Sequence, residues 1–188
     1  MHSIFKKFIM MFLVVATLTV AASNVFASSV IVGGEAMYPT KDIIDNAVNS
    51  KDHTTLVAAV KAAELVATLK SPGPFTVFAP TNDAFENLPD GTVETLLKPE
   101  NKGTLTKVLT YHVIPGRLDY KALTEQIKAA GGQAEFKTAS GDTLIAWMNG
   151  PSNVVLKDES GNFSNITTYD VIQSNGVIHV IDTVVLPN

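Results

Sequence analysis

Apolar residues recur at helical spacing through the first two thirds of the chain. Between residues 53 and 69, leucines and valines return every three or four positions, which predicts one amphipathic helix with Asp52 as its N-cap. The segment Ser71-Pro72-Gly73-Pro74 ends that helix, because proline cannot continue it. Similar but shorter patterns predict further helices over residues 42–48, from Thr81 or Asn82 onward, and over 92–98, 101–110 and 119–130.

Extended patterns dominate the last third of the chain. An early strand is predicted over 75–79, where β-branched and aromatic residues lie between prolines. After residue 133, apolar runs alternate with turn sequences, and Ser174-Asn175-Gly176 predicts a hairpin because asparagine and glycine tolerate positive φ. Helices followed by antiparallel hairpins favour an α+β fold over a wound parallel sheet. Residues 28–39 are small and polar, so we predict a flexible lead-in there.

The first 27 residues have the pattern of a cleavable signal peptide. Lys6 and Lys7 precede an uncharged apolar run that ends near Ala22, and a cut after Ala27 would have small or branched residues at the -3 and -1 positions. A cut near Ser23 and an uncleaved membrane anchor are the alternatives. The apolar run is shorter than the roughly 20 residues that a spanning helix needs, which favours cleavage. We therefore predict an exported protein, periplasmic or extracellular.

Charge and cysteine content exclude several classes of function. The net charge of -4 becomes -6 when Lys6 and Lys7 leave with the signal peptide. With Arg117 as its single arginine, the chain has no basic footprint for nucleic acid or for anionic lipid. It has no cysteine, so no disulfide stabilises the fold. Residues 40–188 are long enough to form one domain with its own core.

Three segments, at residues 75–85, 109–116 and 174–187, resemble the fasciclin (FAS1) domain. They occur in the order of that family and at a spacing that fits one copy over 40–188. The resemblance implies a β-wedge, or sandwich, of two packed sheets with several helices on one side. It also implies a protein outside cells that binds partners or mediates adhesion and is not an enzyme. Its expected partner is an extracellular or cell-surface protein or polysaccharide.

The family resemblance also implies residue roles. Contact sequences of the family lie around the Tyr-His pair, so partner binding is expected from a short list: Tyr111, His112, Val113, Ile114 and Arg117. A structural role is expected for the residues that carry the motifs, namely Thr81, Asn82, Asp83, His112, Asn175, Gly176 and His179. No Arg-Gly-Asp sequence occurs, so integrin binding is not supported.

An alternative function is transport of an apolar ligand such as a pigment or a lipid. Some proteins of the resembled family carry such ligands. Phe136, Trp147 and Met148 fall in one predicted hairpin and supply apolar surface. The simpler interpretation is that Trp147 and Met148 belong to the hydrophobic core. A tryptophan near a loop can also anchor a partner.

Candidate catalytic chemistry is sparse. His112 follows Tyr111 and could approach Asp83 as an acid–base relay, but a histidine at such a corner more often bonds neighbouring backbone groups. His179 and Asp182 would lie on opposite faces of a strand, and His53 is predicted at an exposed helix start. The sequence therefore predicts no catalytic residue, no metal site and no cofactor.

Overall fold

The computed structural model describes residues 29–188. The predicted signal peptide, residues 1–27, lies outside the described residues. Seven α-helices occur in the described part of the chain, with short 3-10 turns at Lys51–His53 and Pro99–Asn101. The helices are α1 Ile43–Ala47, α2 Thr54–Ala62, α3 Val66–Leu69, α4 Asn82–Glu86, α5 Thr92–Leu96, α6 Lys102–Tyr111 and α7 Tyr120–Ala129.

The single helix predicted over 53–69 is wrong, because the structure divides it into α2 and α3. Glu64 adopts a left-handed conformation with φ of 58°. Its N–H donates to Lys61 O, and the N–H of Leu65 donates to Val60 O at 3.0 Å. This is the pattern of a helix that ends in a Schellman motif. Directly after this turn, Leu65 packs against the hydrophobic core.

Nine strands form a small hairpin and one large sheet in the described residues. The strands are β1 Val30–Val32, β2 Glu35–Met37, β3 Phe75–Pro80, β4 Val113–Pro115, β5 Gln133–Lys137, β6 Thr143–Asn149, β7 Asn153–Lys157, β8 Phe163–Gln173 and β9 Gly176–Ile181. The order in the large sheet is β4-β3-β9-β8-β7-β6-β5. Strands β3 and β9 pair in parallel, and every other neighbouring pair is antiparallel. The expected α+β fold is confirmed.

The long strand β8 joins the two halves of the sheet. Its register with β9 shifts between Ile166 and Val171, whereas its first residues pair regularly with β7. At the far ends of the sheet, Ala139 N–H donates to Val113 O at 2.7 Å, so the edges approach each other. The sheet is therefore nearly closed, and its two halves face each other as the expected wedge.

Two hydrophobic cores lie on opposite sides of β3 and β9. Val77, Ala79 and Ile178 face the first core, which is covered by the helices before α7. Phe78 and Ile181 face the second core, inside the wedge and under α7. A strand buried on both faces needs apolar residues at consecutive positions, which accounts for the unbroken apolar run of β9.

The predicted flexible lead-in over 28–39 is instead an ordered hairpin between residues 30 and 37. Strands β1 and β2 pair over three residues, and Met37 is buried in the first core. Lys51 N–H donates to Gly33 O, and Tyr38 N–H donates to Asn46 Oδ1 at 2.9 Å. Val30 and Val32 pack against the same core, because alternate residues of a strand share a face. The alternation of Val30 and Val32 in the sequence indicated this strand, although the small and polar composition of the segment suggested a flexible one.

The β8–β9 hairpin forms as predicted, but for a different physical reason. Neither Asn175 nor Gly176 has positive φ. Gly176 is needed because a Cβ there would lie 2.2 Å from Phe75 O. Asn175 is needed for its side chain, whose Oδ1 accepts from Ile43 N–H at 3.0 Å. Its Nδ2 donates to the carbonyls of Leu69 and Ser71.

Candidate partner-binding surface

The Tyr-His segment lies inside the molecule. The side chains of Tyr111, His112, Val113 and Ile114 are all buried. Tyr111 Oη donates to Thr143 O at 2.8 Å, and burial raises the pKa of Tyr111 to about 12. No partner can touch these four side chains in this conformation.

Arg117 is the exception in that segment, because part of its side chain is exposed. Its guanidinium donates to Gln173 O at 2.8 Å, which anchors the loop after β4 to the end of β8. Partner contact through residues 111–117 stays a prediction, and Arg117 is the side chain among the five that offers surface for it.

His112 has a structural environment rather than a catalytic one. Its Nδ1–H donates to Val108 O at 2.8 Å, and its Nε2 accepts from Val185 N–H at 3.3 Å. Burial lowers the pKa of His112 to about 4, so the ring is neutral at pH 7. Asp83 is exposed on α4 and makes no hydrogen bond to it. The possible relay with Asp83 is therefore not assembled.

Thr81 and Asn82 act at two different helix starts. Thr81 caps α4 by accepting from Ala84 N–H, as predicted. Asn82 instead accepts from Thr55 N–H at 3.0 Å and donates to Lys51 O at 2.8 Å. It thus holds the first turn of α2 against the start of α4, a contact over 27 residues that local pattern could not show.

The other two histidines of the described chain are also buried. His179 Nε2–H donates to Leu118 O at 2.8 Å, and its Nδ1 accepts from Asp170 N–H. Burial lowers the pKa of His179. Asp182 points elsewhere and accepts from Asn165 N–H and Nδ2. Between residues 29 and 188, no group of three histidine or acidic side chains is placed to hold a metal ion.

The prediction that His53 is exposed is wrong. Its side chain is buried in the first core, and its Nδ1 lies 2.8 Å from Ser50 Oγ. Its Nε2 is buried without a hydrogen-bond partner. Burial lowers the pKa of His53, and the nearby Ala79 carbonyl opposes that shift without a well-formed hydrogen bond to the ring. His53 is the last residue of the 3-10 turn Lys51–His53, which precedes α2 and which the sequence pattern did not predict.

Phe136, Trp147 and Met148, the apolar side chains predicted to share one hairpin, do not cluster. Phe136 and Met148 face the second core, whereas Trp147 lies on the outer face of the sheet and is only partly buried. Alternation along β6 places neighbouring residues on opposite faces. The hypothesis that Phe136, Trp147 and Met148 together form a ligand site is therefore wrong for this hairpin. The prediction that Trp147 lies in the core is also wrong.

The outer face of β5–β8 instead carries an apolar patch. Two rows of paired residues cross the strands here. In one row Trp147 pairs with Val155, and in the other Lys157 pairs with both Ile145 and Phe163. We name the apolar residues of these two rows, Ile145, Trp147, Val155 and Phe163, the aromatic face. The rings of Trp147 and Phe163 meet edge to face with centroids 5.4 Å apart. Phe163 is 55% exposed, one of the most exposed large apolar side chains described.

Polar residues border the aromatic face. Gln133 and Asn165 flank the row that contains Trp147, and Glu135 lies beyond Ile145 in the other row. Lys157 places its ammonium 5.8 Å from the centre of the Phe163 ring. An apolar centre with aromatic residues and a polar rim is the composition of a binding interface. A strand over Thr143–Asn149 places Ile145 and Trp147 on one face, but the contact of Trp147 with Phe163 depends on strand register.

The described residues form a wedge of one nearly closed sheet with seven helices packed against it. Comparison with known proteins agrees with that fold. The family described as Fasciclin domain matches residues 51–187. The chain belongs to the fasciclin family. No helix among residues 29–188 is long and apolar enough to cross a membrane.

Individual relatives are similar over most of the chain. Protein sll1483 of Synechocystis is 43% identical over 173 residues, which covers 91% of this chain and 87% of the relative. Human periostin is 30% identical over 151 residues, covering 78% of this chain but 16% of periostin. Among solved structures, the FAS1 domain pair of the insect cell adhesion molecule fasciclin I matches with a TM-score of 0.68 at 18% identity, covering 78% of this chain and 51% of that one. That likeness shows the fold.

Proposed function

We propose that this protein is an exported, non-catalytic binding module that contacts an extracellular or cell-surface protein or polysaccharide through the aromatic face. The observation that carries the proposal is the edge-to-face pair of the partly buried Trp147 and the exposed Phe163 on a polar-rimmed sheet surface. Large aromatic side chains of this kind supply most of the binding energy at interfaces.

Several features support a binding role over an enzymatic one. The three described histidines are buried, and His112 and His179 use both ring nitrogens in backbone hydrogen bonds. One similar solved structure is described as part of a cell adhesion molecule, which agrees with this role. Export follows from the predicted signal peptide, and residues 28–188 would be the working protein, in the periplasm or outside the cell.

The test uses purified residues 28–188 and envelope or matrix fractions. The double substitution Trp147→Ser with Phe163→Ser should weaken binding at least about 30-fold, the change expected for losing one hot spot of 2 kcal/mol. Tyr38→Ser is the matched control, since Tyr38 is also an exposed aromatic residue but lies beside the first core. Protease and glycosidase treatment of the fractions then separates a protein partner from a polysaccharide.

Two results would count against this proposal. Equal binding by the double variant and by Tyr38→Ser would remove the aromatic face from the contact. A reporter fused after residue 188 that stays in the cytoplasm would contradict the predicted export.

A further inference from the structure

A cavity lies inside the first core. It has a volume of about 140 Å³ and is enclosed by the N-terminal hairpin, α1, α2 and the inner faces of β3, β8 and β9. Met37, Ile43, Val60, Val171 and Ile178 are among the residues that line it. Protein interiors are normally packed to crystal density, with few voids larger than a water molecule. A cavity of this size is therefore a distinct feature of the fold.

The wall of the cavity consists almost entirely of carbon. The histidines at its edge offer little to a polar ligand, since His53 Nδ1 bonds Ser50 Oγ and both nitrogens of His112 bond backbone groups. Nε2 of His53 is buried without a hydrogen-bond partner, but it is one polar atom in a wall of carbon. Water needs two to four polar partners to occupy a buried site, so an apolar cavity of this kind stays dry. An ionised ligand would lose its hydration there without compensation.

The cavity reaches the surface beside the end of α1. Its lining includes the exposed residues Val48, Lys61 and Thr68. Val48 is 47% exposed, which is unusual for a large apolar side chain in this molecule. These exposed residues place the outer end of the cavity between α1 and the α2–α3 turn, away from the sheet.

We propose that this cavity binds an uncharged apolar molecule about the size of a single six-membered ring. An engineered cavity of about 150 Å³ with a similar aliphatic lining binds benzene, which sets the scale. The volume is too small for a whole pigment or lipid. Of the apolar ligands that the sequence suggested, only a small volatile or monocyclic molecule would therefore fit in this cavity. No residue of the aromatic face lines the cavity, so the two sites are separate.

Benzene is the probe for the test, titrated into residues 28–188 and followed by methyl NMR. We expect the methyl signals of Met37, Ile43 and Val171 to shift with saturation, because these residues line the cavity. The methyls of Leu144 and Val154 belong to the second core and should not shift. Benzene at ten times its Kd should raise Tm by about 3–6 °C. Benzoate at the same concentration should do neither, because its carboxylate would lose its hydration in the carbon-lined interior, and Lys61 of the lining is exposed at the surface.

Cavity-filling variants complete the test. Ala47→Leu and Val60→Leu add side-chain volume from α1 and α2, where both residues line the cavity. Each should weaken benzene binding at least tenfold while Tm stays equal or rises. Ala129→Leu makes the same kind of change at an exposed position of α7 and should bind benzene as the parent does. Absence of shifts at the lining methyls, equal binding of benzoate, or full benzene binding by both folded filling variants would overturn the proposal.

Discussion

Asn175 offers a direct test of how the first core is held together. Its buried side chain joins three segments: the start of α1 through Ile43 N–H, the end of α3 through Leu69 O, and the following loop through Ser71 O. These contacts span more than 100 residues of sequence. Asn175→Ala would leave one donor and two acceptors without partners.

The magnitude follows from these three groups. Each intramolecular hydrogen bond contributes about 1 kcal/mol, and each buried group left unpaired costs about 1–3 kcal/mol. A water in the space left by the amide would recover part of that loss. We therefore expect Asn175→Ala to lower the free energy of unfolding by about 3–5 kcal/mol, a large share of the 5–15 kcal/mol typical of a domain. Tm should fall by roughly 10 °C.

Urea unfolding of residues 28–188, followed by circular dichroism, measures this change. Asn101→Ala is the matched control, because Asn101 donates one exposed hydrogen bond to Thr95 O. Asn175→Asp should also destabilise, since it retains the acceptor for Ile43 but loses the donors to Leu69 and Ser71. If Asn175→Ala loses no more stability than Asn101→Ala, the three hydrogen bonds do not hold these segments together.

Two further predictions concern single sites. Gly176→Ala should lower the free energy of unfolding by about 3 kcal/mol or more, because the new Cβ would lie 2.2 Å from Phe75 O. In the same unfolding assay Gly103→Ala, in α6, should be neutral or slightly stabilising, because its Cβ would contact nothing. His112 has a folded pKa of about 4, below its ordinary 6.5, so the unfolded chain binds more protons between those values and stability falls as pH drops through that window. This pKa shift should lower the free energy of unfolding by about 3 kcal/mol between pH 7 and pH 4. His112→Asn should therefore flatten that part of the stability–pH profile. Parallel profiles for parent and variant would contradict this.

Local pattern was sufficient to predict most elements and the class of fold. The strand that begins at Phe75, the helix capped by Thr81 and the α7 helix capped by Asp119 all follow signals within a few residues of their ends. Apolar periodicity and capping act over one or two turns, so they can be read from the chain directly. The motif segments likewise indicated the fasciclin family, which the comparisons confirm.

Only the tertiary structure decided which residues are accessible. His53 is predicted at an exposed helix start yet is buried, and Tyr111 and His112 are internal although their motif suggested contact. Trp147 was expected in the core from its place at the end of a predicted strand, but it faces outward beside Phe163. The face that a residue presents depends on strand register and on long-range packing between segments far apart in sequence. A linear pattern determines which elements form, whereas the aromatic face and the apolar cavity exist only after those elements pack.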